Sequence, residues 1–130
     1  MKPDIIVVYP TLPRQMKMLE ETYSLHRYDL SGEKEKLLRE EGPRCVGMVT
    51  NGHFPLDGAF VEKLPALKIV ACGSVGYETI DVGALTRKGI RFTNTPDVLT
   101  DDVADTAVLL MLAARRRLIV ADRYVRSGDW

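Results

Sequence analysis

The chain has 130 residues, enough for one domain with a modest core, and its apolar and charged fractions of 45% and 28% are ordinary for a globular protein. Its 18 basic and 18 acidic residues cancel, so nothing points to a polyanionic partner, and nucleic acid is excluded as a partner because its binders carry a basic stripe. The only basic run, Arg115-Arg116-Arg117, fans across different faces of a helix and reads as solvated surface.

Ile5-Ile6-Val7-Val8-Tyr9 is a β-branched run stopped by Pro10 and predicts a buried strand. Residues 13–23 predict a helix, with Met16, Leu19 and Tyr23 near helical spacing. Residues 25–30 predict a second strand, which contains His26 as a partly buried structural residue. Residues 33–41 predict a charged helix closed by Gly42-Pro43. Residues 45–49 predict a third strand, broken by Thr50-Asn51-Gly52, and residues 56–63 a short helix. Residues 67–72 form the strongest strand signal. Cys45 and Cys72, each in an apolar run, read as buried thiols in a reducing compartment, and two lone thiols do not make a metal site. Residues 81–88 predict a helix capped by Asp81 and stopped by Gly89, and residues 90–93 a fifth strand.

Alternating strands and helices with continuous apolar runs are the pattern of a parallel sheet covered on both faces. The expected fold class is α/β, a flavodoxin-like five-stranded parallel sheet. Pro96 then interrupts the alternation, and one long helix is expected from an N-cap at Thr100 to about Arg126, with Asp101 and Asp102 at the positive end of its dipole. Val103, Ala107, Leu110, Met111, Ala114, Leu118, Ala121 and Val125 follow helical spacing, and Val108, Leu109 and Leu112 widen the stripe, so this helix expects burial on more than one side. The longest apolar run, residues 107–114, is far short of the ~20 residues a bilayer span needs. No basic-then-apolar leader opens the chain, so no membrane partner and a cytoplasmic location are expected.

Three segments carry a family resemblance. Residues 69–81 read Ile-Val-Ala-Cys-Gly-Ser-Val-Gly-Tyr-Glu-Thr-Ile-Asp. Residues 89–105 read Gly-Ile-Arg-Phe-Thr-Asn-Thr-Pro-Asp-Val-Leu-Thr-Asp-Asp-Val-Ala-Asp, and residues 126–130 read Arg-Ser-Gly-Asp-Trp. Together they resemble the D-isomer-specific 2-hydroxyacid dehydrogenases, in the branch of glyoxylate, hydroxypyruvate and hydroxyphenylpyruvate reductases. The resemblance implies a substrate-binding domain over residues 1–96. Residues 97–130 would then be the linker and long helix that start a Rossmann dinucleotide-binding domain. It implies NAD or NADP as cofactor, a small 2-oxo or 2-hydroxy acid as substrate and a homodimer for the full-length enzyme. In the family the Gly-x-Gly-x-x-Gly loop and the catalytic Arg, Glu and His lie downstream of the Gly-Asp-Trp segment. The chain is therefore expected to be an N-terminal portion that holds no catalytic residue and is inactive by itself. The alternative is a non-catalytic binding or dimerisation module.

Taken bare, Gly73-Ser74-Val75-Gly76 is a Gly-x-x-Gly turn after a strand, a common structural connection. The resemblance gives it a role: its amides would hold the substrate carboxylate, with Ser74, Val75 and Gly76 matching the family motif. Asn51 and Gly52 end a strand on the same edge, and they would line the same pocket or serve as plain turn residues. Val75 and Val103 match positions that lie near the cofactor in the family, where they could act by main-chain contact or packing. For Val103, core packing of the helix is the other reading. His53 has no carboxylate neighbour in sequence, and Glu78 and Asp81 do not form an acid–base pair.

Overall fold

The computed structural model describes residues 2–129, so Trp130 of the Gly-Asp-Trp segment lies outside the described residues. The chain divides after Pro96 into two compact units.

The first unit is built on five strands: β1 (Asp4–Val7), β2 (Ser24–Arg27), β3 (Gly47–Thr50), β4 (Ile69–Cys72) and β5 (Arg91–Thr93). All pair in parallel, in the order β2-β1-β3-β4-β5. The register sets Ile6 beside His26 and Met48, and Met48 beside Val70, which faces Phe92 in turn. Side chains alternate along a strand. Ile6, Val8, Met48, Val70 and Cys72 therefore fall on one face, in a core with Leu38, Leu56, Val61, Leu64, Leu85 and Ile90. The helices behind that core are α2 (Lys34–Glu40), α3 (Gly58–Glu62) and α4 (Val82–Arg87).

The expected cover is complete on this face and partial on the other. Opposite the main core this unit places α1 (Pro13–Thr22), and Ile5, Val7 and Met16 are buried. Farther along that face Val49 and Ala71 are only half-buried and Thr93 is exposed. One ten-residue helix is narrower than a five-stranded sheet, with neighbouring strands ~4.8 Å apart, so part of this face stays open.

Local signals place the element ends. Pro13 opens α1 at the position where a missing N–H costs nothing. Asp57 and Asp81 cap α3 and α4, their carboxylates accepting the N–H groups of Phe60 and Ala84 at 2.8 Å. Gly89, at φ 69°, ends α4 in the left-handed region, with Ile90 N–H on Leu85 O and Gly89 N–H on Thr86 O.

His26 is structural, as expected. Its Nε2 lies 2.7 Å from Asp4 and its Nδ1 3.3 Å from Glu41, with Arg44 closing the cluster on both carboxylates. The imidazole contact, more than any other, holds the Asp4 carboxyl below its ordinary range.

The second unit corrects two expectations. The single long helix is two: α5 (Thr100–Arg115) and α6 (Leu118–Ser127), with Arg117 in the left-handed conformation at φ 50° between them. The Arg117 N–H closes on Ala114 O at 3.2 Å, the bond that a glycine past a helix end usually makes. Residues 115–117 thus stand at the carbonyl end of α5, where cations are favoured by the helix dipole. Helical spacing continues from Ala114 to Leu118 and Ala121, so the periodicity carries no trace of the break. Leu99, and not Thr100, occupies the N-cap position of α5, and no side chain caps it. Asp101 and Asp102 do lie in the first turn. None of the described residues of α5 or α6 is buried. No helix among the described residues is long and apolar enough to cross a membrane.

Candidate functional site at the carboxyl edge of the sheet

Open parallel sheets bind ligands beyond the carboxyl ends of their strands, above all where the strand order reverses. Here that point lies between β1 and β3. The loops that converge on this edge are Tyr9 to Leu12 after β1, Asn51-Gly52 after β3, Gly73 to Gly76 after β4 and Asn94-Thr95 after β5.

The Gly73–Gly76 turn is braced from both sides. Gly73 N–H donates to Thr50 O at 2.9 Å. The Ser74 carbonyl accepts from Thr95 N–H at 3.0 Å, and the Val75 carbonyl from Asn94 Nδ2 at 2.9 Å. Pro96 accounts for part of this, because it holds Thr95 extended. With these carbonyls committed, the amides of Ser74, Val75 and Gly76 remain, and they donate to no backbone carbonyl among the described residues. Successive N–H groups of this kind suit an anion. Ser74 and Gly76 are half-buried, and Val75 is 42% exposed.

Asn51 is a turn residue in fact: its Oδ1 accepts the His53 N–H at 3.0 Å. The same turn brings Gly52 against the Ser74–Gly76 segment. A Cβ on Gly52 would overlap the Gly76 carbonyl oxygen and stand 2.9 Å from its carbon and 3.1 Å from Ser74 Oγ. The Thr79 hydroxyl fastens this loop, 2.9 Å from the Gly52 carbonyl and 3.0 Å from that of Phe54. The sequence points to no site role for Thr79, Asn94 or Thr95, and it leaves Gly52, like Asn51, between a pocket position and a plain turn. Only Pro96, two residues after Asn94, signalled that this backbone would be extended.

Asn51, Ser74, Val75 and Gly76 thus meet at one sheet edge. Val103 belongs to the second unit, on the first turns of α5, and is 63% exposed. His53 is exposed in its loop. Asp81 is occupied as a cap, and Glu78 is exposed. Among the described residues no group of three or more His, Cys, Asp or Glu is placed to hold a metal. Burial pushes the Cys72 thiol up, against an opposing contribution from the Ser74 amide, and pushes Cys45 up to about 11. Both thiols are free and buried.

Two hollows adjoin Gly73. A groove of about 510 Å³ runs between α1 and the open sheet face, past Met18, Leu19, Tyr23, Val49 and Ala71. A smaller cleft of about 270 Å³ lies between the loop after β1 and Thr50, Asn51 and Gly73.

The family profile described as "D-isomer specific 2-hydroxyacid dehydrogenase, catalytic domain" matches residues 5–123. A glyoxylate/hydroxypyruvate reductase A of Arabidopsis thaliana is 48% identical over 112 residues, which cover 86% of this chain and 36% of the relative. A glyoxylate reductase of Korarchaeum cryptofilum is 40% identical over 100% of this chain and 40% of its own length. Among solved structures, a 2-hydroxyacid dehydrogenase from Ketogulonicigenium vulgare superposes with a TM-score of 0.89 at 35% identity, over 100% of this chain and 41% of that one. An NADPH-dependent glyoxylate/hydroxypyruvate reductase from Sinorhizobium meliloti, in complex with NADP and malonate, gives 0.71 at 32% identity, over 100% and 40%. The chain therefore spans 36–40% of the length of these two curated relatives.

Proposed function

The chain belongs to the D-isomer-specific 2-hydroxyacid dehydrogenases, and from that premise we propose that it supplies the substrate-binding part of an NAD(P)-dependent reductase. That enzyme would convert small 2-oxo acids, such as glyoxylate or hydroxypyruvate, to D-2-hydroxy acids. In this reading residues 1–96 are the substrate domain, and residues 97–130 lead into the dinucleotide-binding domain. The reductase works in the cytoplasm as a homodimer.

The observation that carries the reading is the set of amides at Ser74, Val75 and Gly76, none of which donates to a backbone carbonyl among the described residues, with the Ser74 amide also reaching the Cys72 thiol. They sit at the carboxyl edge of a parallel sheet, with Asn51 and Gly52 packed alongside. Charge-assisted N–H bonds to a carboxylate are short and strong. A carboxylate held there is fixed in position and orientation, which is what a hydride acceptor next to a nicotinamide needs. The substrate is thus seated by backbone, and side chains around it shape selectivity.

The residues present do not fit the rest of a dinucleotide. A pyrophosphate needs a glycine-rich turn running straight from a strand into a helix N-terminus. The glycine turn after β4 ends at Gly76, and α4 begins only at Val82. Val75 and Val103 offer exposed apolar surface, suited to packing near a cofactor ring and to nothing more. No step through the cofactor is assigned to this chain. Its purified form is expected to give no NADH or NADPH oxidation with glyoxylate or hydroxypyruvate above a denatured control. A longer polypeptide, with this segment ahead of a Gly-x-Gly-x-x-Gly domain, is expected to turn over. Turnover by the 130-residue chain alone would overturn the proposed division of labour.

A second reading, a non-catalytic dimerisation module, draws on the exposed Leu109, Leu110, Met111 and Ile119 of α5 and α6. It predicts capture of a full-length subunit without acid binding at Ser74–Gly76.

A further inference from the structure

The direction in which an amide points is fixed by the carbonyl of its own peptide. The peptide unit is planar and trans, so its C=O and N–H point opposite ways. The Val75 N–H is therefore aimed by the Ser74 carbonyl, and the Gly76 N–H by the Val75 carbonyl. Both carbonyls take a donor from the segment after β5. The Ser74 carbonyl accepts from the Thr95 N–H at 3.0 Å, and the Val75 carbonyl from Asn94 Nδ2 at 2.9 Å. The first tie is backbone, and the second is a side chain.

The side-chain tie acts where the turn is softest. The peptide joining Val75 to Gly76 flips when ψ of the first and φ of the second rotate in opposite senses, and the chain on either side hardly moves. The flip carries φ of residue 76 toward positive values, which glycine adopts without a Cβ clash. Gly76 is not among the positive-φ glycines, Gly89 and Gly128, so the structure holds the unflipped form. The flipped form would turn the Gly76 N–H away from a bound anion and present the Val75 carbonyl oxygen to it, an attraction exchanged for a repulsion.

Strand pairing brings the hold within reach. Ala71 of β4 pairs with Thr93 of β5, so Asn94 leaves its strand beside the start of the Gly73 turn, where it is half-buried. A carbonyl can only accept and the Asn94 NH₂ can only donate, so the bond orients the side-chain amide and the Val75 peptide together.

We propose that Asn94 is a positioning residue for acid binding: its side chain locks the Val75–Gly76 peptide in the orientation that offers the Gly76 N–H to the substrate carboxylate. The inference rests on the reading of Ser74–Gly76 as the carboxylate seat. Asn94 acts through the peptide and needs no contact with the acid.

Isotope-labelled chain titrated with glycolate, followed by amide chemical shifts, tests the lock. The parent is expected to shift at Ser74, Val75 and Gly76. Asn94→Ala is expected to bind glycolate about tenfold more weakly, the loss of one hydrogen bond to a charged group. The residual dipolar coupling of its Gly76 N–H should change, while those of β1 and β3 keep their parental values. Adding Gly76→Ala to Asn94→Ala should restore part of the affinity, because a Cβ disfavours the positive φ of the flipped peptide. A merely structural role for Asn94 predicts no such rescue, since the second substitution repairs no packing. If the parent binds glycolate at these amides and Asn94→Ala binds it equally well, or loses affinity with no change at the Gly76 N–H and no rescue, the lock is refuted and the carboxylate reading stands. If glycolate moves none of the Ser74–Gly76 amides in the parent, the carboxylate reading and this inference fall together.

Discussion

Replacing Gly52 with alanine tests the site at its tightest contact. Gly52 does not lie among the positive-φ glycines, which are Gly89 and Gly128, so a side chain there meets no dihedral penalty. The obstacle is steric. A Cβ would stand 2.9 Å from the Gly76 carbonyl carbon, where relaxed carbon contacts lie at ~3.5–4.0 Å. The Ser74–Gly76 segment must therefore retreat by at least about 0.6–1.1 Å, and the nearest obstructing atoms, the Gly76 carbonyl oxygen and carbon, are backbone and cannot rotate aside. Overpacking of this kind costs about 1–3 kcal/mol. Displacement of a positioning group by about 1 Å can cost on the order of 10²-fold in rate. Gly73→Ala is the control, since its nearest neighbours would be Thr50 O at 3.8 Å and Thr11 Oγ1 at 3.9 Å, ordinary contacts. Gly76→Ala should also be mild, because it meets the tip of the Glu78 side chain at 2.8 Å, which can swing away into solvent. Thermal unfolding of the three variants is expected to show a clear loss only for Gly52→Ala, about 4–8 °C per kcal/mol for a unit of this size. Glycolate titration is expected to show the same order. In a full-length reductase the kcat/KM with glyoxylate should follow it too. A Gly52→Ala protein with parental stability and parental acid binding would refute the packing of Gly52 on the Ser74–Gly76 turn.

The Asp4 carboxyl, held low chiefly by the His26 contact, contributes stability that is present above its unfolded value near 3.8 and lost as pH falls through the lower folded value. Asp4→Asn should therefore lower the melting temperature near neutrality and flatten its decline in acid, and parallel pH curves for the two proteins would contradict this. Cys45, pushed up to about 11, and Cys72, pushed up by burial, stay protonated at pH 8 and should label slowly with a thiol reagent until the chain unfolds; immediate labelling of both in the native protein would argue against their burial. The exposed apolar side chains of α5 and α6, among them Leu109, Leu110, Met111 and Ile119, should drive self-association at micromolar concentration, and Leu110→Glu with Met111→Lys should reduce it. A parent chain that sediments as a monomer would show that these helices need no partner.

Much of this protein is legible in its sequence. Largely apolar runs at residues 5–9, 45–49 and 67–72, separated by helical patterns, are what a parallel sheet requires, because each strand is buried by its neighbours and by crossover helices. Asp81 and Gly89 mark the ends of α4 because caps act through the residue's own side chain or dihedral freedom, which are local properties. The Ser-Val-Gly and Asn-Thr-Pro segments carry the family. The break at Arg117 is not legible: the apolar spacing runs through it, and an arginine takes the left-handed conformation that sequence assigns to glycine or asparagine. Nor can the sequence show that α1 leaves Val49, Ala71 and Thr93 short of full cover, because that depends on the width of a sheet assembled from distant segments. The same holds for Gly52. It is a turn or pocket-edge glycine by sequence, and it comes to lie against the Gly76 carbonyl only when β3 and β4 pair in register and bring two loops, 24 residues apart, to one edge. Local chemistry chose the elements, and the pairing of strands decided which loop atoms share a site.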